Sequence, residues 1–368
     1  MSNPWQPQAE TMSTKTPLAS PGRTGAWDRD LSSLALQFAA RLAGPALVEQ
    51  VVWWGAGFSD LLLRALPALP ASHRAVIADS DNRMLRRARA WAGEGGREHR
   101  LLALGDLRRD ALAVESQLLR QPTADLETYL ALQEALAQQF ETRPCVADAS
   151  VDLLVADFLL NRLAPADWAG ALGEAMRVVR RSGRFFCTVL VSDEPITEPT
   201  AVRSAPTDRP LHLPDEAATL RAIQAAGFHG ITLHWARPDD PTALDRVGEA
   251  EVRMLVIECH KGKQGPCFEL GQAVVYRGPW RQVHDDDGHV YPRGERVAVC
   301  AKTYALLMRE PYCGSFIGLR SVLEPDLKRA EPFDCNTPAL RDPRVTKGLQ
   351  PFVGAAAPGS CNADSGCC

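Results

Sequence analysis

The sequence predicts an α/β fold, a parallel sheet with helices on both faces, followed by a smaller β-rich unit and an irregular cysteine-bearing tail. Three observations carry this. Short apolar runs alternate with amphipathic stretches across residues 51–258, the pattern of strand–helix–strand units. The first three runs stop at Gly55, at Asp79 and at Gly105-Asp106. After residue 260 Gly, Pro and Asp rise and the apolar runs shorten.

Residues 1–25 are rich in Pro, Ser and Thr and read as disordered. Residues 27–43 place Leu31, Leu34, Phe38 and Leu42 at helical spacing. Residues 51–54 (Val-Val-Trp-Trp) form a first strand, and 61–66 a helix. Residues 75–78 form a second strand, and 82–92 a helix. Residues 101–104 form a third strand. The segment at about 107–142, rich in Leu, Ala, Gln and Arg, reads as a helical insert, either an enlarged crossover or a lid. Strands at 151–155 and 185–191 bracket a helix at 165–179. A helix at 215–226 ends at Gly227, and strands at 230–235 and 252–258 close the series.

In the second unit, strands at 272–276 and 296–299 flank Asp285-Asp286-Asp287-Gly288, and 300–308 reads as a helix. Asp-Gly between strands is a turn signal, and the Glu that would complete a calcium loop is missing. The expected organisation is a disordered 1–25, a main domain 26–261, a small β-rich domain 262–323 and an extended tail 324–368.

Composition narrows the function. With 41 Lys+Arg against 45 Asp+Glu the net charge is −4, without the basic excess expected for nucleic-acid binding. The most apolar stretch, 47–69, is interrupted by Glu49, Asp60 and Arg64, so no membrane span is expected. The first 25 residues lack an apolar export signal. The expectation is a cytoplasmic protein with reduced thiols. Of ten cysteines, only Cys145 and Cys187 precede residue 250. Cys187 lies in an apolar run and reads as core. Cys361, Cys367 and Cys368 lie in a Gly/Ser/Ala/Pro tail with nothing to bury them.

In such sheets ligands bind at the carboxyl ends of the strands. Gly55 and Gly57, in Gly55-Ala56-Gly57-Phe58-Ser59, let backbone approach a ligand. Asp79 follows 24 residues later, where a carboxylate can accept ribose hydroxyls. Asp106 stands where it can meet an adenine amino group. Leu61 stands near the third glycine position of a dinucleotide fingerprint, which argues against a pyrophosphate and for S-adenosylmethionine.

The block from Asp152 to Leu163, containing Asp157, Phe158 and Asn161, with the following Ala175-Met-Arg-Val-Val-Arg-Arg-Ser-Gly183, resembles class I methyltransferases, and within them the arsenite methyltransferases. The segments 271–278 and 293–303, and the closing Gly366-Cys367-Cys368, are similar to that family's C-terminal parts. The resemblance spans about 45–323 plus the tail. It implies a Rossmann-like doubly wound sheet, S-adenosylmethionine as cofactor, and methylation of trivalent arsenic held by thiolates. The partner it implies is a small molecule, an arsenical or other metalloid, with room for a thiol co-substrate. Asn161 matches an Asn of the family's block.

The departures are equally specific. Phe158 stands where the family has a cysteine, 188–213 holds none, and none precedes Cys145. Trp54 replaces the acidic residue usual before the first glycine. Either the acceptor differs, or other thiols supply the cage, or methyl transfer is lost. Asp157 is the base candidate for a hydroxyl or amine acceptor. Cys361, Cys367 and Cys368 are the metalloid-ligand candidates, with Cys300, Cys313 or Cys335 as further thiols. Cys367-Cys368 reads as a dithiol rather than a strained bridge. Cys259-His260 and Cys267 could join a site, but a structural zinc site wants four well-spaced ligands and there is no Cys-x-x-Cys. Two alternatives stay open: a methyltransferase for another small molecule, and a non-catalytic metalloid-binding protein on a decayed methyltransferase scaffold.

Overall fold

A computed structural model describes residues 50–55, 74–86, 98–102, 104–110, 117, 119–120, 123–202, 210–236, 245–336 and 339–351. The expected helices at 27–43 and 61–66, Gly57, and Cys361, Cys367 and Cys368 lie outside the described residues.

The main sheet contains β1 (Gln50–Trp54), β2 (Arg74–Asp79), β3 (Glu98–Leu101), β4 (Val151–Asp157), β5 (Val179–Ser192), β6 (His229–Ala236), β7 (Asp245–Val247) and β8 (Ala250–His260). Their order is β3-β2-β1-β4-β5-β8-β6, with β7 on β8. β3, β2, β1, β4 and β5 run parallel. The expected all-parallel sheet gives way beyond them, because β8 is antiparallel to both β5 and β6. Only 13 residues, three of them in β7, separate β6 from β8, and antiparallel neighbours need no helical crossover.

β1 and β4 are buried along nearly their whole length, as expected of strands covered on both faces. Val52, Trp54, Leu154, Ala156, Phe185 and Ile257 pack in one core. The third strand lies three residues earlier than its apolar pattern suggested. β3 reads Glu-His-Arg-Leu, and a polar strand suits a sheet edge. Leu102 and Leu107 instead enter the core behind it.

In the insert, α1 (Leu126–Thr142) opens with an Asp125–Thr128 capping box and buries Leu136 and Phe140. A short α2 (Leu159–Arg162) follows β4 directly. Next comes α3 (Trp168–Val178), whose Trp168, Ala171, Leu172, Ala175 and Val178 share one buried face. α4 (Glu216–Ala225) is capped by Asp215, which accepts from the Ala218 N–H at 2.7 Å. It stops at Gly227, where φ is +94°.

The second unit holds β9 (Phe268–Glu269), β10 (Ala273–Tyr276), β11 (Gln282–His284), β12 (Val290–Pro292), β13 (Arg296–Ala298), α5 (Ala301–Leu307), β14 (Phe316–Leu319), β15 (Glu331–Pro332) and α6 (Pro343–Thr346). They form a β13-β10-β14 sheet, a β11–β12 hairpin and a β15–β9 pair. Val274, Tyr276, Tyr291, Val297, Leu306 and Phe316 make its core. The Asp285–Gly288 segment is the expected turn, with the Gly288 N–H donating to the Asp285 carbonyl at 3.0 Å.

The chain beyond 324 does not run extended as far as residue 351. It returns across the unit: β15 pairs with β9, and the Arg341 N–H donates to the Arg296 carbonyl at 2.8 Å. The Arg341 guanidinium meets both Glu269 carboxylate oxygens at 2.8 Å in a buried pair. One charged anchor replaces the apolar stripe that periodicity detects.

The units meet along β6. The Gly230 N–H donates to Asp286 Oδ2 at 3.1 Å, and His229 Nδ1 lies 3.2 Å from the Tyr312 hydroxyl. His229 and His260 are both buried there. Burial, then neighbouring cations, lowers His229 to about 3. Burial also lowers His260, to about 4, against the nearby Glu258. Among the described residues no helix is long and apolar enough to cross a membrane.

Candidate functional site

The carboxyl ends of β1, β2 and β4 converge through backbone. Gly55, just after β1, has φ +87° and donates its N–H to the Ala78 carbonyl of β2 at 2.9 Å. A Cβ built on Gly55 would lie 2.5 Å from the Asp157 carbonyl oxygen of β4. Both the left-handed backbone and the contact require glycine here.

Asp79 closes β2 with its side chain fully buried. Arg162, at the end of α2, grips it with two bonds of 3.0 Å, Nη1 to Oδ2 and Nη2 to Oδ1. The Asp81 N–H adds a third bond, 2.7 Å to Oδ1. An ionised carboxylate offers about four acceptor positions, so one remains open without displacing Arg162. The sequence reading missed Arg162, although it directly follows Asn161 in the block that drew attention.

Asp106 follows Gly105, which has φ +81°. Its Oδ1 accepts the Arg108 N–H at 2.7 Å, and Oδ2 lies 3.5 Å from Arg109 Nε. Its side chain is partly exposed, unlike that of Asp79.

Asp157 is fully buried, and its Oδ1 accepts the Thr188 hydroxyl at 2.5 Å. Phe158 adopts φ +51°, and its N–H donates to the Thr188 carbonyl at 3.0 Å. That turn sends the Phe158 ring into an apolar cluster with Leu190, Val202, Leu211 and Met254. The turn after β4 thus presents an apolar ring, not a thiol, to its surroundings.

Asn161 is fully buried, and its side chain spans two segments. Its amide nitrogen donates to the Leu190 carbonyl at 2.7 Å and the His212 carbonyl at 2.8 Å. Its Oδ1 accepts the Leu190 N–H at 2.9 Å. Asn161 therefore stitches β5 to the chain at 211–213, a positioning role.

None of the seven described cysteines is in a disulfide. Burial, followed by the Asp157 charge, pushes Cys187 up to about 12. Burial likewise raises Cys259, whose Sγ lies 3.5 Å from the Phe185 carbonyl. Both are core thiols. Cys267, Cys300 and Cys335 instead converge, with their Sγ atoms within 4.8 Å of one another. The sequence named Cys300 and Cys335 as further thiols and Cys267 as one that could join a site, but no spacing motif grouped them, because they are 33 and 35 residues apart. Asp285, Asp287 and His289 also cluster, but they are paired within the turn. Asp285 accepts from the Tyr291 hydroxyl at 3.0 Å and meets His289 Nδ1 at 2.8 Å, while Asp287 meets Lys263 at 2.6 Å.

A family model described as a domain of unknown function (DUF8838) matches residues 263–351. It takes in the small β-rich unit together with the returning chain. Among curated proteins none matches in sequence. Among solved structures, the chain is similar to an arsenic(III) S-adenosylmethionine methyltransferase from Chlamydomonas reinhardtii. That likeness has 17% identity, covers 85% of this chain and 100% of the other, and has a TM-score of 0.42. It is also similar to a Burkholderia thailandensis 1,6-didemethyltoxoflavin-N1-methyltransferase bound to S-adenosylhomocysteine, with 17% identity, 65% and 80% coverage and a TM-score of 0.40. An S-adenosylmethionine-dependent methyltransferase from Mesorhizobium loti matches at 17% identity, with 63% and 100% coverage and a TM-score of 0.38. Independently of these likenesses, the order β3-β2-β1-β4-β5 is the doubly wound order.

Proposed function

We propose that this chain is an S-adenosylmethionine-dependent methyltransferase acting on a small-molecule acceptor. The observation that carries the reading is that Gly55 directly follows β1 and Asp79 ends β2, with Asp106 five residues past β3, at the carboxyl ends of a doubly wound sheet where such folds bind ligands. Gly55 gives backbone access, Asp79 keeps one acceptor position for a ribose hydroxyl, and the partly exposed Asp106 suits an adenine amino group. Gly57 belongs to the same loop by sequence. When bound, the cofactor supplies an activated methyl group, so the protein's task is alignment of donor and acceptor.

Asp157 is the base for an acceptor that must lose a proton, with Thr188 orienting its carboxylate. Asn161 holds β5 and the 211–213 segment in place around it. An arsenical acceptor, with or without a thiol co-substrate, requires thiolates from elsewhere, since Phe158 and the core cysteines Cys187 and Cys259 offer none. Cys361, Cys367 and Cys368 are the thiols for that role.

One observation favours a second reading, a scaffold that no longer methylates: Arg162 and the Asp81 N–H together already occupy three of the about four acceptor positions of the Asp79 carboxylate. Calorimetric titration of the reduced protein with S-adenosylmethionine separates the two. Binding that Asp79→Ala weakens at least tenfold, followed by methylated product from a small-molecule acceptor, supports the enzyme. No binding at millimolar cofactor overturns it. Arsenite and monomethylated arsenic, run in parallel product assays, decide the arsenical acceptor.

A further inference from the structure

We propose that Cys267, Cys300 and Cys335 form a three-thiolate site that takes one zinc-class divalent ion, with its fourth position open to the adjoining cavity. The three sulfurs come from separate elements: just before β9, at the start of α5, and just after β15. Their mutual separation of at most 4.8 Å compares with about 3.8 Å between sulfurs bound tetrahedrally to zinc at about 2.3 Å. Closing that gap takes about an ångström of side-chain movement.

Three further observations fit a metal better than incidental core packing. Cys300 Sγ receives the Thr303 N–H at 3.3 Å and lies 3.2 Å from the Thr303 hydroxyl, contacts that fix the sulfur at the head of α5. Lys302 donates to the Gly265 carbonyl at 2.8 Å, tying α5 to the segment that carries Cys267. A cavity lined by His289, Thr303 and Phe333 is also lined by two of the three cysteines, Cys300 and Cys335. It gives an ion an entry path and leaves room for a water or exogenous fourth ligand. Each thiol releases its proton as it ligates, so metal uptake strengthens as pH rises. The ion would fasten the β9–β15 pair to α5, the kind of staple small units use where their cores are thin.

The site stands apart from methyl transfer, and its test needs no cofactor. The full-length reduced protein, stripped of metal, is titrated with Zn²⁺ by calorimetry and with Co²⁺ by absorption. One equivalent of each, with thiolate-to-cobalt charge-transfer bands and a higher Tm in the metal-loaded form, is expected. Cys300→Ser and Cys335→Ser should each weaken binding by at least about 100-fold, beyond the 10–100-fold typical of an outer-shell change. Cys313→Ser, and a variant carrying Cys361→Ser, Cys367→Ser and Cys368→Ser, should retain it. Because serine variants of the cluster can misfold, the cobalt spectrum of the tail variant, whose described cysteines are all intact, stands as an independent readout. Absence of charge-transfer bands, loss of binding in the tail variant, or capture of arsenite without any Zn²⁺ binding would each overturn the proposal.

Discussion

Replacing Arg162 with Met removes both guanidinium bonds from a carboxylate that has no solvent exposure of its own. Asp79 would keep the Asp81 N–H at 2.7 Å as its remaining described donor. Breaking one side of a buried pair costs about 3–5 kcal/mol, so the variant should lose that much stability in urea denaturation. Its effect on cofactor should have the opposite sign. Arg162→Met opens two acceptor positions, and each hydrogen bond to a charged group contributes about 1.5–3 kcal/mol. S-adenosylmethionine should therefore bind at least about tenfold tighter and raise Tm more in Arg162→Met than in the wild type. The double change Asp79→Asn with Arg162→Met should recover most of the lost stability, since no uncompensated charge remains. A variant that loses stability yet binds cofactor no more tightly would refute the assignment of the ribose to Asp79.

Gly55→Ala should cost more than 2 kcal/mol, about 1–2 from left-handed backbone plus the 2.5 Å clash with Asp157; unchanged thermal stability would contradict the described strand ends. Asn161→Leu strands the Leu190 N–H and two carbonyls, at about 1–3 kcal/mol for each group, and hydrogen exchange should rise along β5. His229 and His260 are held neutral, with folded values of about 3 and about 4 below the ordinary 6.5. Their contribution is complete above pH 6.5 and is lost as pH falls toward those values, because the unfolded chain binds the protons first. By about pH 5 the two together should cost up to about 4 kcal/mol, read as a falling Tm that His229→Gln makes shallower.

The first two strand ends were legible because their signals are local: an apolar run that stops at Gly55 or Asp79 declares itself within a few residues. The strand that ends at Asp157 was legible for the same reason. What the sequence hid depends on partners far along the chain. Arg162 reaches Asp79 across 83 positions, Arg341 reaches Glu269 across 72, and the three clustered thiols carry no spacing motif. The direction of β8 was hidden too, since an apolar run reads the same whichever way it enters the sheet. Polar β3 escaped because an edge strand covers less apolar surface than a central one.

The β9–β15 pairing has a consequence for how the protein is made. Glu269 pairs with Glu331, 62 residues later. At a synthesis rate of about 5–20 residues per second the gap amounts to about 3–12 s. During that interval β9 has no edge partner, Glu269 awaits Arg341, and the Cys267 and Cys300 thiols have been made without Cys335. A chaperone that recognises unpaired strand edges, or an oxidant that reaches nascent thiols, would find its target in this window and lose it once residue 341 has locked the returning chain in place.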